Sequence, residues 1–558
     1  MVFFRYIPWL LQSLFGLLLV CWPLLDTGPG GATTSLRLGL ACTTTGLFAA
    51  ALLATGRPQL PFRFHLVDRA AALCTGWILL HTLLFSPRET DPYCLLNGWT
   101  ILTAYGFCRT TGTAFLLPSL LLSGVVQSGI ALAQTTGRLA SRHLYYDLTG
   151  SFPNPGPLGG WLCAATLAAL LLALKAGKNG RRILCAGYAA AGGCTGIALW
   201  LTDSRAAWVG FAAGIVCLLA LSKFNRKRTV VLLSVIAGCV GTGWLYGYKK
   251  GSADGRLLIW RVSADLIARK PLVGNGLGTF PELYMPAQAA YFERHPDSRF
   301  AEVAEQVNHP FNEWIGTVCE SGAIGGGLML LLIGAAFAGR GDPTGKVLLA
   351  GLLLFGIFSY PSAFPVFGLL FAAVLTRCAE QHGTLSEEKP RPTSARCGWS
   401  TAVLLGGAVL LAGLCRSGAS RRNRYVLLQE VSRAMHRERA TDPNVLSEIE
   451  RSARRLPVAE LYTDLGDRWL DADSIERAKR CYRLAARMIP RRLRPYEGLW
   501  RACRRAGETD SALILARKIV SMPVKASNTT TIRIRRAAQK WIDETESDSP
   551  EVRGCTGG

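Results

Sequence analysis

Long apolar runs separated by short polar connections fill the chain up to about residue 415, after which the pattern becomes charged and helical in spacing. Runs of ~20 apolar residues match the hydrocarbon thickness of a bilayer. Such runs lie near 7–25, 36–54, 66–85, 93–108, 112–133, 157–174, 182–201, 206–222, 229–247, 313–336, 345–358, 361–376 and 399–415. The pattern predicts an all-α fold, a polytopic membrane helix bundle of about 12–13 spans. The first run follows Arg5, has no small-residue cleavage site behind it and leads straight into further spans, so it reads as an uncleaved membrane helix.

The connections differ in charge. Arg5, Arg57, Arg63, Arg109, Lys175, Lys178, Arg181, Arg182, Lys223, Arg226, Lys227, Arg228, Arg340, Lys346 and Arg377 fall on alternate connections, which assigns that side to the cytoplasm. Segments 134–156 and 248–311 then face outward, as does the tight turn Asp203-Ser204-Arg205. An odd number of spans also sends the tail outward, against the pull of Arg416, Arg421, Arg422 and Arg424. The expected organisation is a transmembrane domain over 1–415 with a large outward loop at 248–311, a helical linker at 416–455, a repeat-like region at 456–523 and a partly disordered end at 524–558.

Half of the residues are hydrophobic, and their gathering into long uncharged runs excludes one soluble core. The net charge of +24 lies mostly between apolar runs or in the tail, where sidedness and solvation account for it, so nucleic acid is not the expected partner. The 17 cysteines include no CxxC pair and no Cys/His spacing that holds zinc; they read as small buried hydrophobes, and neither a metal nor a cofactor is expected.

Polar residues that can carry chemistry gather at the outward face. Arg205 starts an apolar helix, and its guanidinium can donate paired hydrogen bonds to phosphate oxygens; the plain alternative is an arginine paired with Asp203 or a lipid headgroup. Arg256 and Trp260 stand four residues apart on one face of an amphipathic helix that begins near Asp254 and is halted by Pro271, with Arg261 a little further round. The plain alternative there is an interfacial helix. Gly274, Gly276 and Gly278 lack the following Lys-Ser/Thr of a phosphate loop and the context of a dinucleotide fold, and read as a flexible turn. His309 precedes a helix bearing Glu313 and Glu320, and an imidazole of ordinary pKa can accept a proton from a sugar hydroxyl at neutral pH. Paired charges at the bilayer midplane and inverted repeats, the marks of a transporter, are missing from the pattern.

The order of these pieces resembles one family. Ser204-Arg205-Ala206-Ala207-Trp208, Gly255-Arg256 with Trp260, Pro271 to Phe280, and His309 followed by Asn312-Glu313-Trp314 and Glu320-Ser321-Gly322-Ala323-Ile324-Gly325 are similar to the bacterial O-antigen ligase superfamily, which includes O-antigen polymerases and protein O-oligosaccharyltransferases. The resemblance implies a multi-pass enzyme of the bacterial inner membrane with its active site facing the periplasm. It implies transfer of a glycan from undecaprenyl diphosphate to lipid A–core or another glycan or protein acceptor, without metal. Arg205, Arg256 and Arg261 would bind the diphosphate, His309 would be the base, and Trp260, Asn312, Glu313 and Glu320 would support them. Ligase, polymerase and protein glycosylation remain open, because the acceptor leaves no mark in the motif; Pro310 replaces a residue that is polar in many relatives.

In the tail, Leu465 and Leu499, and Ala478 and Ala512, recur at a 34-residue interval, and Gly466, Ala478, Tyr482, Ala485 and Pro490 hold the relative positions of a tetratricopeptide repeat. Trp500 stands at the glycine position of the second copy. A generic amphipathic helix pair is the alternative; a repeat would offer a protein partner a concave surface.

Overall fold

A computed structural model describes residues 2–25, 34–54, 65–85, 91–143, 146–222, 247, 250–379, 407, 442–454, 457–524 and 528–547. The expected spans at 229–247 and 399–415, apart from residues 247 and 407, and most of the 416–455 linker lie outside the described residues. Those described are helical, with no β-strand among them. Two compact units emerge: one from 1–248, 270–278 and 310–420, the other from 249–269, 279–309 and 421–558.

The first unit contains α1 (Val2–Leu25), α2 (Thr34–Ala54), α3 (Leu66–Leu80), α4 (Pro92–Thr111), α5 (Leu116–Thr135), α6 (Pro155–Lys178), α7 (Arg182–Leu201), α8 (Arg205–Leu221), α11 (Glu313–Ala338), α12 (Pro343–Ile357) and α13 (Pro365–Ala379). Six of the described helices are long and apolar enough to cross a membrane, and shorter apolar helices accompany them. Together they form a polytopic helical membrane bundle. Close helix approach uses small residues, as expected where apolar lipid removes the usual drive for burial. A β-carbon on Gly124 would stand 2.3 Å from that of Ala165, and one on Gly210 would stand 2.7 Å from the Gly351 carbonyl oxygen.

Helix ends carry the polar pairs. Asp68, in the first turn of α3, accepts from Arg109 Nε at 2.9 Å, from the Tyr105 hydroxyl at 2.7 Å and from the His65 backbone at 2.7 Å. Arg377 pairs with Asp342 at 2.8 Å at the α13 and α12 ends. The expected span at 361–376 is divided: Pro361–Ala363 is a 3₁₀ turn, and α13 starts at Pro365, since proline suits a first helical turn but lacks the donor that would continue one.

The second unit joins residues 249–269 and 279–309 to the tail. It comprises α9 (Lys250–Arg269), α10 (Phe280–Arg294), α14 (Pro443–Ala453), α15 (Ala459–Asp471), α16 (Ile475–Met488), α17 (Leu493–Arg505), α18 (Thr509–Ser521) and α19 (Thr529–Ser547). The pairs α15/α16 and α17/α18 repeat with an offset of 34 residues at both helix starts. Tyr482 is buried between them: a β-carbon on Gly466 would stand 2.6 Å from its ring, and one on Gly498 2.2 Å. Gly498, rather than position 500, supplies the second clearance, while Trp500 is buried beside Trp541. Residues 529–547, within the end expected to be partly disordered, form a helix because Ile534, Ala538 and Ile542 make a buried apolar stripe.

Candidate functional site

The centre of α11 is broken. Gly322 stands at φ +71°, a left-handed conformation open to glycine at little steric cost, and it interrupts the helical ladder. The freed backbone groups pair with the turn at 270–278. Asn275 N donates to Cys319 O at 3.0 Å and Gly276 N to Glu320 O at 2.9 Å, while Ala323 N donates to Pro271 O at 2.9 Å and Ile324 N to Leu272 O at 3.2 Å. A β-carbon on Gly274 would lie 2.5 Å from the Glu320 carbonyl, so this glycine is required by a backbone-to-backbone approach. The turn that the sequence presents as flexible is interlocked with the kink.

Two side chains of α3 complete the interlock, and sequence reasoning missed both. Trp77 Nε1 donates to Ser321 O at 3.3 Å. Buried His81, where α3 widens into a π-helical turn over His81–Phe85, donates from Nε2 to Val273 O at 2.7 Å. A carbonyl only accepts, so this ring nitrogen carries the proton. Asp91 N also donates to Leu277 O at 2.8 Å.

Arg205, Asn312, Glu313 and Glu320 belong to this first unit. Arg205 is buried at the first position of α8, beyond Asp203 at φ +51°. Buried Asn312 caps α11, its Oδ1 accepting from Trp314 N at 2.9 Å and Ile315 N at 3.1 Å, which satisfies two otherwise orphaned donors. Glu313 Oε1 accepts from Ser362 N at 2.8 Å and so holds the turn before α13. Phe311, at φ +51°, packs edge-on to Tyr360 with ring centroids 4.8 Å apart, and the Tyr360 hydroxyl accepts from Asn154 Nδ2 at 2.7 Å. Arg205, Asn312 and Glu313 are therefore brought to one end of the bundle, where α6, α8, α11 and α13 begin and α12 ends. Glu320 lies deeper, beside the kink. A φ this far positive on a phenylalanine is strained, and such strain collects at functional sites.

Arg256, Trp260, Arg261 and His309 belong to the second unit. Arg256 and Trp260 are partly buried on α9; Leu258, Ile259 and Val262 face its core. Arg261 is exposed, its guanidinium 6.0 Å from the Tyr291 ring centre on α10. That contact makes Arg261 a bridge between loop helices. Segment 299–309 folds back along α9, with the Val303 carbonyl 3.9 Å from the β-carbon position of Gly255. Partly buried His309 ends this segment. On α10, burial pushes the Tyr284 phenol above its ordinary range, and its hydroxyl donates to Gln288 Oε1 at 2.9 Å.

Among the described residues no group of three or more His, Cys, Asp or Glu side chains is arranged to hold a metal ion. The chain matches no curated protein and no solved structure. Residues 190–330 match a family model described as O-antigen ligase, and this stretch runs from within α7 through the loop at 248–311 and past the kink of α11. By that match, residues 190–330 of the chain are similar to the O-antigen ligase family.

Proposed function

We propose that the protein transfers a glycan from an undecaprenyl diphosphate carrier to an acceptor hydroxyl on the periplasmic side of the inner membrane, with lipid A–core as the acceptor. One observation carries the reading: Arg205, Arg256 and His309 all fall within the sequence stretch that matches the family model, 190–330. Arg205 and Arg256 hold the diphosphate, and Arg261 supports it from the next turn of α9. His309 accepts the acceptor hydroxyl's proton as its oxygen bonds to the anomeric carbon. The bond from that carbon to the diphosphate oxygen breaks, and the arginines stabilise the charge on the leaving group. Displacement in one step inverts the anomeric centre. Asn312 and Glu313 act by fixing the start of α11, which follows the base. The 34-residue recurrence of the tail supports a tetratricopeptide-like surface for a protein partner.

The test is the glycolipid profile of a deletion strain. Long-chain carrier-linked polymer accumulating beside unmodified lipid A–core is the expected result. Accumulation of single carrier-linked repeat units would assign a polymerase instead, and loss of glycan from protein alone would assign a protein glycosyltransferase.

A further inference from the structure

The tail grips the loop through two buried or partly buried glutamines. Gln306, three residues before His309, uses both ends of its amide on the start of α15: Nε2 donates to Pro457 O at 3.1 Å, and Oε1 accepts from Ala459 N at 3.2 Å. Buried Gln288 of α10 donates from Nε2 to Met488 O at the end of α16 at 2.7 Å, and to Glu305 O at 3.3 Å. Glu293 of α10 pairs with Arg487 of α16 at 2.7 Å on the exposed rim. A backbone donor and acceptor two residues apart match a primary amide in both polarity and span, and hydrophobic or charged side chains cannot satisfy both. All of these residues lie in one compact unit.

From this geometry we infer that Gln306 is a positioning residue, through which the first tail hairpin fixes the segment carrying His309. The inference rests on the proposed role of His309 as base. The tail is then a part of the transfer machinery, in addition to any surface it offers a partner. Between Phe300 and His309 the segment has only one short 3₁₀ turn, Arg299–Glu302, so its shape depends on what its side chains grip. Val307 is buried beside Gln306, whereas Asn308 is exposed. The tie therefore acts where regular hydrogen bonding has ended and before the residue whose ring must be aimed.

Full-length protein carrying Gln306→Met, which keeps the side chain's length and loses both hydrogen bonds, tests this. Gln306→Glu keeps an acceptor for Ala459 N and loses the donor to Pro457 O. Gln306→Met should speed amide hydrogen exchange over 303–309 by about tenfold and lower turnover by about tenfold at unchanged donor KM, with Gln306→Glu between it and the native protein. Combined with His309→Ala, Gln306→Met should add no further loss, because both act through one group. Unchanged exchange would overturn the tie. Faster exchange with native turnover would overturn the positioning role and leave His309 to be judged by its own variant. Additive losses in the double variant would likewise show that Gln306 does not act through His309. If His309→Ala alone transfers at the native rate, the base assignment fails, and the exchange measurement still decides whether the tail orders this segment.

Discussion

A β-carbon on Gly322 would stand 2.1 Å from the carbonyl oxygen of Leu272. The contact is between two main chains, so no side chain can swing away to admit it. Gly322→Ala should therefore combine the strain of a left-handed alanine with a clash that only backbone movement relieves, and cost well over the ~1 kcal/mol of the backbone conformation alone. Gly327, five residues on in the same helix, has nothing within 4 Å of its β-carbon position. Gly327→Ala should be neutral or mildly stabilising. Thermal unfolding in detergent separates the two, and equal melting temperatures would refute the interlock.

His81→Leu leaves the Val273 carbonyl without its donor in a buried place, a loss of about 1–3 kcal/mol. His81→Gln offers an amide donor and should recover part of it. The same order should appear in hydrogen exchange of the 271–278 turn. If Leu and Gln behave alike there, the hydrogen bond does not hold the turn.

The arginines of the proposed site should respond unequally. Arg205→Lys and Arg256→Lys keep charge and lose the planar fork, so donor affinity should fall by about 1.5–3 kcal/mol for each charged hydrogen bond lost. Arg261→Lys should weaken donor binding much less, because its guanidinium is exposed and lies by Tyr291. His309→Ala should leave donor affinity intact and lower turnover by about 10²–10⁴-fold. Purified enzyme with lipid-linked donor, assayed separately for binding and transfer, gives both numbers. Undiminished donor binding in the Arg205 and Arg256 variants would return them to ordinary interfacial roles.

Acid should loosen the tail by a defined route. Glu508 accepts from Lys479 at 2.6 Å, and this bond holds its carboxyl below the ordinary carboxylate range. A depressed folded-state pKa contributes stability that is present above the unfolded value of about 4.3 and is lost as pH falls through the folded one. Glu508→Gln should thus destabilise the α16–α18 region at pH 7 and lose its disadvantage near pH 3. Hydrogen exchange over 475–521 at the two pH values checks the sign, and a disadvantage that persists in acid would exclude the ion pair as its source.

Run length made the spans legible, because a bilayer imposes one thickness on every helix that crosses it. Arg205, Arg256 and His309 are singled out by their order along the chain, and the roles proposed for them rest on residue type and resemblance. His81, Trp77 and Gln306 are not. Their partners are backbone carbonyls 192, 244 and 151 residues away, and a carbonyl looks the same in every residue of a sequence. The joining of loop and tail was hidden for the same reason: Gln288 and Gln306 make it through main-chain atoms of Met488, Pro457 and Ala459. The disorder expected beyond 524 came from composition, which outweighed the apolar spacing of Ile534, Ala538 and Ile542.

The anchoring of residues 270–278 changes what kind of connection the 248–311 loop is. Fixed at its middle as well as at its ends, it behaves as two short arcs, one bearing Arg256 and the other ending at His309. Closure entropy grows only with the logarithm of loop length, so lengthening either arc costs little free energy while the anchor stands. Residues inserted into an exposed connection of one arc therefore need not shift the register of the other along the chain, and what couples the two is the packing of α9 against α10 and residues 299–309.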